Sequence, residues 1–157
     1  MSVIALRPVE ESDLDTLFDQ MRDPESVWMA AFSAEHPDDK TTFYTHMTKQ
    51  KNSPDITLRA VTCNGRVVGS IASFVFQGQT EITYWIDRAA WGRGIASRAL
   101  TLFLDLVPTR PLYAYVASDN NGSLRVLQKA GFKTIGTETS FAHVRNSQIK
   151  ETILRKD

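Results

Sequence analysis

The stretch from Glu81 to Val116 constrains the fold more than any other part of the sequence. Residues 81–87, EITYWID, form a run of aromatic and β-branched side chains suited to a strand. A turn follows at Trp91-Gly92-Arg93-Gly94-Ile95-Ala96-Ser97. Ile95, Ala96, Ala99, Leu100, Phe103 and Val107 then recur at the spacing of an amphipathic helix that stops at Pro108. Leu112–Val116 reads as a second strand. A strand–helix–strand crossover of this length pairs its strands in parallel or lays them side by side in one sheet.

The flanking segments fill in a mixed α/β chain. Val3–Pro8 alternates as a short strand. Glu11-Ser12-Asp13 offers a cap for a helix carrying Leu14, Leu17, Phe18 and Met21. Residues 24–34 hold a second short helix, and Pro37-Asp38-Asp39 caps a third that closes near Asn52-Ser53-Pro54. The hydrophobic period then changes. Ile56–Cys63 and Arg66–Phe76 read as strands joined at Asn64-Gly65, the strongest two-residue hairpin signal, and Gln77-Gly78-Gln79 turns the chain again. These strands form an antiparallel meander. Asn120 opens a helix through Leu124, Leu127 and Ala130 with Gly131 at its end. Phe132–Thr139 and Ile149–Leu154 close the chain as strands around a turn at Arg145-Asn146-Ser147, and they are the segments expected to pair across a homodimer.

With 157 residues the chain is expected to form one domain, 1–157. Eighteen basic residues balance eighteen acidic ones, which argues against a nucleic-acid binder driven by counterion release. The single cysteine, Cys63, excludes an internal disulfide and a thiolate zinc site, and suits a reducing compartment. Arg7 and Glu10 interrupt the N-terminal apolar stretch before it reaches signal-peptide length, and no apolar run approaches a membrane span. A soluble, cytoplasmic protein is expected. His36, His46 and His143 lack metal-ligand spacing, so no metal site is expected.

The 91–97 turn carries the chemistry. Gly92, Gly94 and Ala96 allow close approach of a ligand to the backbone, and the N–H groups of a helix's first turn suit a pyrophosphate. Arg93 would add a charge-assisted contact. The plain alternative is a tight strand-to-helix connection without a ligand. A dinucleotide fits poorly: Ser97 stands where a third small residue is wanted, no acidic residue ends the next strand, and an antiparallel meander precedes the turn. A P-loop is excluded, because no Gly-Lys-Ser/Thr follows.

Three motifs in order carry a resemblance. Glu81, Tyr84, Trp85, Ile86 and Asp87 match E-x-x-Y-W-(I/L)-D. Trp91 to Ala96 match W-G-(K/R)-G-x-A. Asn120, Ser123, Val126, Leu127, Lys129, Gly131 and Phe132 match N-x-x-S-x-x-(V/L)-L-x-K-x-G-F. The chain resembles the GCN5-related N-acetyltransferases (GNAT), in particular their ribosomal-protein N-terminal acetyltransferase-like branch. The motifs cover about a third of the chain, and the element order fits the rest. The resemblance implies an α/β fold whose mostly antiparallel central sheet contains a parallel, splayed pair and carries flanking helices.

It also implies acetyl-CoA as acyl donor and a peptide or small-molecule amine as acceptor, with direct attack in a ternary complex. Backbone groups of Tyr84, Trp85 and Ile86 would bind the pantetheine arm like an added strand. One N–H there would polarise the thioester carbonyl, an effect worth about 3–4 kcal/mol. Gly92, Arg93, Gly94, Ile95, Ala96 and Ser97 would hold the pyrophosphate. Trp91 stands where the wider superfamily prefers Gln or Arg. Glu81 would accept a proton through water, or be a solvated carboxylate before a strand. Many family members carry a tyrosine acid seven residues after the motif asparagine; here that position is Leu127. Ser123 would protonate the thiolate in its place, or merely bond backbone. Asn120 would contact the pantetheine amide, cap its helix, or do both.

Arg98, Arg125 and Lys129 would meet CoA phosphates or stay solvated. Residues 24–53 fall where the family builds its acceptor wall, and Trp28, Met29, Phe32, Phe43, Tyr44 and Met47 would line a pocket or pack the core. No acidic cluster within 24–53 promises a polyamine site. Two other classes stay open at this level: a non-catalytic acyl-CoA-binding or sensing domain, which the missing tyrosine motivates, and, more remotely, a nucleotide-binding regulatory module.

Overall fold

A computed structural model describes residues 2–32 and 34–157. Seven strands form one sheet in the order β1-β2-β3-β4-β5-β7-β6. Strand β1 is Ile4–Pro8, and helices α1 (Leu14–Met21), α2 (Pro24–Ala30) and α3 (Lys40–Asn52) follow it. The meander is β2 (Thr57–Cys63), β3 (Arg66–Phe76) and β4 (Gln79–Ile86). Helix α4 (Ile95–Leu106), β5 (Leu112–Ala117) and α5 (Asn121–Lys129) come next, and β6 (Lys133–Ala142) and β7 (Ser147–Lys156) close the chain. The second helix ends at Ala30, short of the expected 34, and Ser33 lies outside the described residues.

Local chemistry accounts for the boundaries. Asn64 and Gly65 both take positive φ, which matches the twist of the β2–β3 hairpin. Gln77 and Gly78 repeat the device, so β4 begins at Gln79, two residues before the expected Glu81. The Asp13 carboxylate accepts the Glu10 N–H at 2.8 Å and pairs with both guanidinium nitrogens of Arg7, at 2.7 and 2.9 Å, tying β1 to the start of α1. Asp23 caps α2 through the Ser26 N–H, and Asp39 caps α3 through the Thr42 N–H.

The sheet divides the molecule. On one face α4 and α5 cover a core of Phe103, Leu100, Leu112, Phe132 and Leu154. On the other, α1 and α3 cover β1–β3 around Leu14, Leu17, Met47 and Ala60. All strand pairs are antiparallel except β4–β5, whose parallel pairing consists of Thr80–Leu112 and Glu81–Tyr113. Beyond Glu81 the two strands part, as the splayed-pair expectation has it. Strand β7 lies between β5 and β6, so both its edges are filled, and of the two C-terminal strands β6 alone keeps an outer edge. No helix among the described residues is long and apolar enough to cross a membrane.

One close approach sets where β4 lies. A Cβ at Gly69 would fall 2.0 Å from the Trp85 carbonyl oxygen, so only glycine lets β3 and β4 run this near each other beside the opening.

Candidate active site

A cleft of about 560 Å3 lies where β4 and β5 part. Tyr84, Trp85 and Ile86 of β4 form one rim. The 92–97 turn, the first turn of α4 and the start of α5 form the other. Gly92 and Gly94 both have φ of 75°, and a Cβ on either would meet no protein atom. Gly94 is the N-cap of α4 and no side chain among the described residues caps that helix, so its first N–H groups are offered to a ligand or solvent. Main-chain donors, a helix N-terminus and the unpaired edge of β4 together fit the pyrophosphate and the amide-bearing arm of acetyl-CoA.

The structure brings most of the expected residues together. Tyr84, Trp85, Ile86, Gly92, Gly94, Ile95, Ala96, Ser97, Asn120 and Ser123 all line the cleft. Arg93 does not. Its guanidinium turns to the far side of the loop, 3.9 Å from the Cys63 sulfur, so only its backbone is offered to a phosphate. The charge-assisted contact expected of its side chain is absent in this arrangement. Arg125 and Lys129 line the cleft, while Arg98 is not among its lining residues.

Asn120 Oδ1 accepts the Ser123 N–H at 3.2 Å, so the asparagine caps α5 with its carbonyl, and among the described residues its amide NH2 has no partner. The hydroxyls of Ser123 and Tyr84 lie 2.7 Å apart. Burial pushes the Tyr84 phenol up to about 12, so it stays protonated through the working range. A tyrosine hydroxyl is thus present beside Ser123, supplied by β4 rather than by position 127. The indole N–H of Trp91 donates to the Ile86 carbonyl at 2.8 Å and fastens the end of β4 to the turn.

Glu81 lies outside the cleft lining, at the last parallel pair before the strands part. Strand register puts it on one face with Tyr113, Tyr115, Glu138 and Glu151, since paired residues share a face and alternate residues along a strand do too. That is the face of α1–α3, because Trp85, two pairs along from Glu81, donates its indole N–H to the Gln20 carbonyl of α1. Burial raises the affinity of Glu81 for a proton, and the Glu138 charge adds to it. The acidic cluster not found within 24–53 is therefore assembled by β4, β6 and β7.

Helix α2 is the third wall, through Ser26, Met29 and Ala30. Helix α3 instead packs inward: Met47 is buried, and the Phe43 ring lies tilted against Phe18 with centroids 5.3 Å apart. Of the six candidates for an acceptor wall, Met29 alone lines the cleft. Two clasps hold α2 in place, and neither was marked by a motif. Arg88 donates to Asp23 at 2.8 and 3.2 Å. Arg145, its side chain 8% exposed, bonds the Trp28 carbonyl and both Asp119 oxygens and stacks over the Trp28 ring. His143 lies 3.9 Å from Glu35, away from the cleft lining, and no group of three or more His, Cys, Asp or Glu among the described residues is arranged to hold a metal.

Comparison with known proteins agrees with this geometry. A family model described as an acetyltransferase (GNAT) domain matches residues 4–133. YwnH of Bacillus subtilis (strain 168), named for phosphinothricin acetylation, is 28% identical over 103 residues, which are 60% of this chain and 63% of that protein; the match thus spans under two thirds of the relative. An N-acetyltransferase from Staphylococcus aureus Mu50 superposes with a TM-score of 0.83 at 22% identity, covering 99% of this chain and 98% of its own. A phosphinothricin acetyltransferase from Sinorhizobium meliloti, solved with AcCoA, gives 0.83 at 16%, covering 98% and 87%. A spermidine N-acetyltransferase from Vibrio cholerae, solved with CoA and spermine, gives 0.80 at 16%, covering 98% and 95%. The strand pair that parts, the glycine turn at the head of α4 and the family match over most of the length lead to one conclusion: the chain belongs to the GNAT acetyltransferase family.

Proposed function

We propose that this protein transfers an acetyl group from acetyl-CoA to a primary amine, a peptide N-terminus or a small-molecule amine, by direct attack within a ternary complex. The observation that carries the reading is the cleft itself, with a phosphate-suited turn at one end and an unpaired strand edge along its length; a carboxylate-bearing sheet face lies outside its lining, where the strands part. Acetyl-CoA would supply the acetyl group as a thioester.

The protein's part is to bind, orient and manage protons. Main-chain N–H groups of 92–97 hold the pyrophosphate, and the edge of β4 at 84–86 receives the pantetheine arm. The amide NH2 of Asn120 is a further donor to that arm. Ser123, held beside Tyr84, donates to the departing sulfur, and Glu81 begins the route by which the amine sheds its proton. An α-amine, with pKa near 7.8, costs only about 1 kcal/mol to neutralise at pH 7, whereas a lysine costs about 4.6 kcal/mol. Modestly basic acceptors are therefore the economical ones.

Thiol release from acetyl-CoA in the presence of a peptide with a free N-terminal alanine, spermidine or phosphinothricin tests the reading. Turnover with any of these supports it, and Glu81→Gln then lowers turnover while leaving acetyl-CoA binding intact. Absence of turnover with all of them, despite acetyl-CoA binding, returns the chain to the sensing-domain alternative.

A further inference from the structure

We propose that Glu151, on β7 and outside the cleft lining, is the group on which the acceptor amine's proton comes to rest after passing by way of Glu81; the proposal rests on the N-acetyltransferase reading above. Four observations converge on this residue. It lies on the same sheet face as Glu81, at the level of β5 where β4 has already parted from it. Its partner across β5 is Ala117, so that strand places only a methyl beside the carboxylate. Its partner on the other side is a second carboxylate, Glu138. It is also the most enclosed of the three acids, 9% exposed, while Glu81 is half-buried and Glu138 exposed.

The groups around Glu151 favour its protonated form. Among the described residues no N–H bonds its carboxylate, the Glu138 carboxyl is its hydrogen-bonding neighbour, and its largest influences, burial first and then Glu138 and Glu81, all raise its proton affinity, to about 7. The remaining polar neighbours on this face offer no compensating charge. The Tyr115 hydroxyl is given to Gln79, and Arg155 is taken by Asp157 at the far end of β7 beside Tyr113. From α2, Asp23 and Glu25 are held by Arg88, and Arg145 is spent on Asp119 and Trp28. In the linker after α2, Glu35 faces His143. A buried acid with like-charged neighbours and no counter-ion is poised to take a proton from an arriving cation near neutral pH.

The step balances as follows. The ammonium yields one proton, by way of Glu81, to Glu151 and becomes a nucleophile. Its nitrogen bonds the acetyl carbon, and the C–S bond breaks with its electron pair left on sulfur. The second N–H proton offsets the one that Ser123 delivers to the thiolate, and Glu151 returns its proton to solvent. Glu151 is the most enclosed of the three carboxylates, and so the one from which solvent withdraws least readily what it has accepted.

The test uses the full chain with acetyl-CoA and whichever of the alanine peptide, spermidine or phosphinothricin it turns over. In the parent, kcat rises through an ionisation near pH 7. Glu151→Gln is expected to lower kcat about 100-fold and abolish that limb, with the Kd for acetyl-CoA unchanged. Glu138→Gln, which keeps Glu151, is expected to move the limb to lower pH by removing the neighbouring charge. A Glu151→Gln protein with the parent's kcat and limb overturns the proposal. So does a limb that stays in place in Glu138→Gln, a result that decides the matter even if the first variant fails to fold. A parent that turns over none of the three amines overturns the acetyltransferase reading itself, and this inference with it.

Discussion

The hydroxyl pair of Tyr84 and Ser123 shows how a single residue's role depends on its neighbour. With the phenol held protonated, one hydroxyl of the pair can satisfy the other while a proton remains for the cleft. Removing Tyr84's oxygen leaves Ser123 without that partner, although the serine keeps its own proton. Tyr84→Phe is therefore expected to lower kcat about tenfold, and Ser123→Ala about 100-fold, each with little change in KM for acetyl-CoA. Equal losses in kcat and in acetyl-CoA affinity would assign the pair to binding instead. The tyrosine's presence was legible as a letter in the Tyr84-Trp85 motif, but its position beside Ser123 was not, because the two residues are brought together by strand parting and helix packing. Arg93 is the converse: its place in the glycine turn was legible, and the direction of its side chain, toward Cys63, was not.

At the scale of elements, α2 forms a cleft wall although its seven residues carry no motif. Its position depends on Arg145, which arrives from the turn between β6 and β7 and joins α2 to the Asp119 loop before α5. Arg145→Ala removes these bonds and the stacking on Trp28. It is expected to destabilise the fold by about 1–3 kcal/mol, read by urea denaturation, and to raise KM for the acceptor more than KM for acetyl-CoA. Unchanged KM values would mean that α2 keeps its place without the clasp. Periodicity located the helices before residue 53 but did not tell wall from core. Met29 and Met47 look alike in sequence; only the placement of α2 at the cleft and α3 over β2 separates them. The β4–β5–α4 arrangement was far more legible, since local turn chemistry and a short crossover leave few ways to build it.

For the whole molecule, two carboxylates pull stability in opposite directions with pH. The Arg7 guanidinium, beside Asp13, holds that carboxyl below its usual range; its contribution is present above about pH 4 and lost as pH falls through the lowered value. Glu151 is shifted upward, so its contribution is complete below about 4.5 and lost as pH rises through about 7. Unfolding free energy should therefore be greater near pH 5 than at pH 8. Replacing Glu151 by Gln should remove a part of that difference on the order of 1–3 kcal/mol. A Glu151→Gln protein with the parent's pH dependence would show that Glu151 ionises without penalty. The second effect could not be read from the chain, because Glu81, Glu138 and Glu151 come from three separate strands and meet only through sheet register.

The opening between β4 and β5 also bears on how freely this sequence can drift. If the ligand is held there by main-chain atoms of 84–86 and of the glycine turn, affinity does not reside in the side chains at those places, and most substitutions leave it intact. Proline, which removes a donor, any side chain at Gly69, which forces β4 from its position, and a side chain at Gly92 or Gly94, whose φ is positive, are the costly changes. Variation is then free to accumulate in α2, where a new acceptor can be acquired without rebuilding the means of holding the donor.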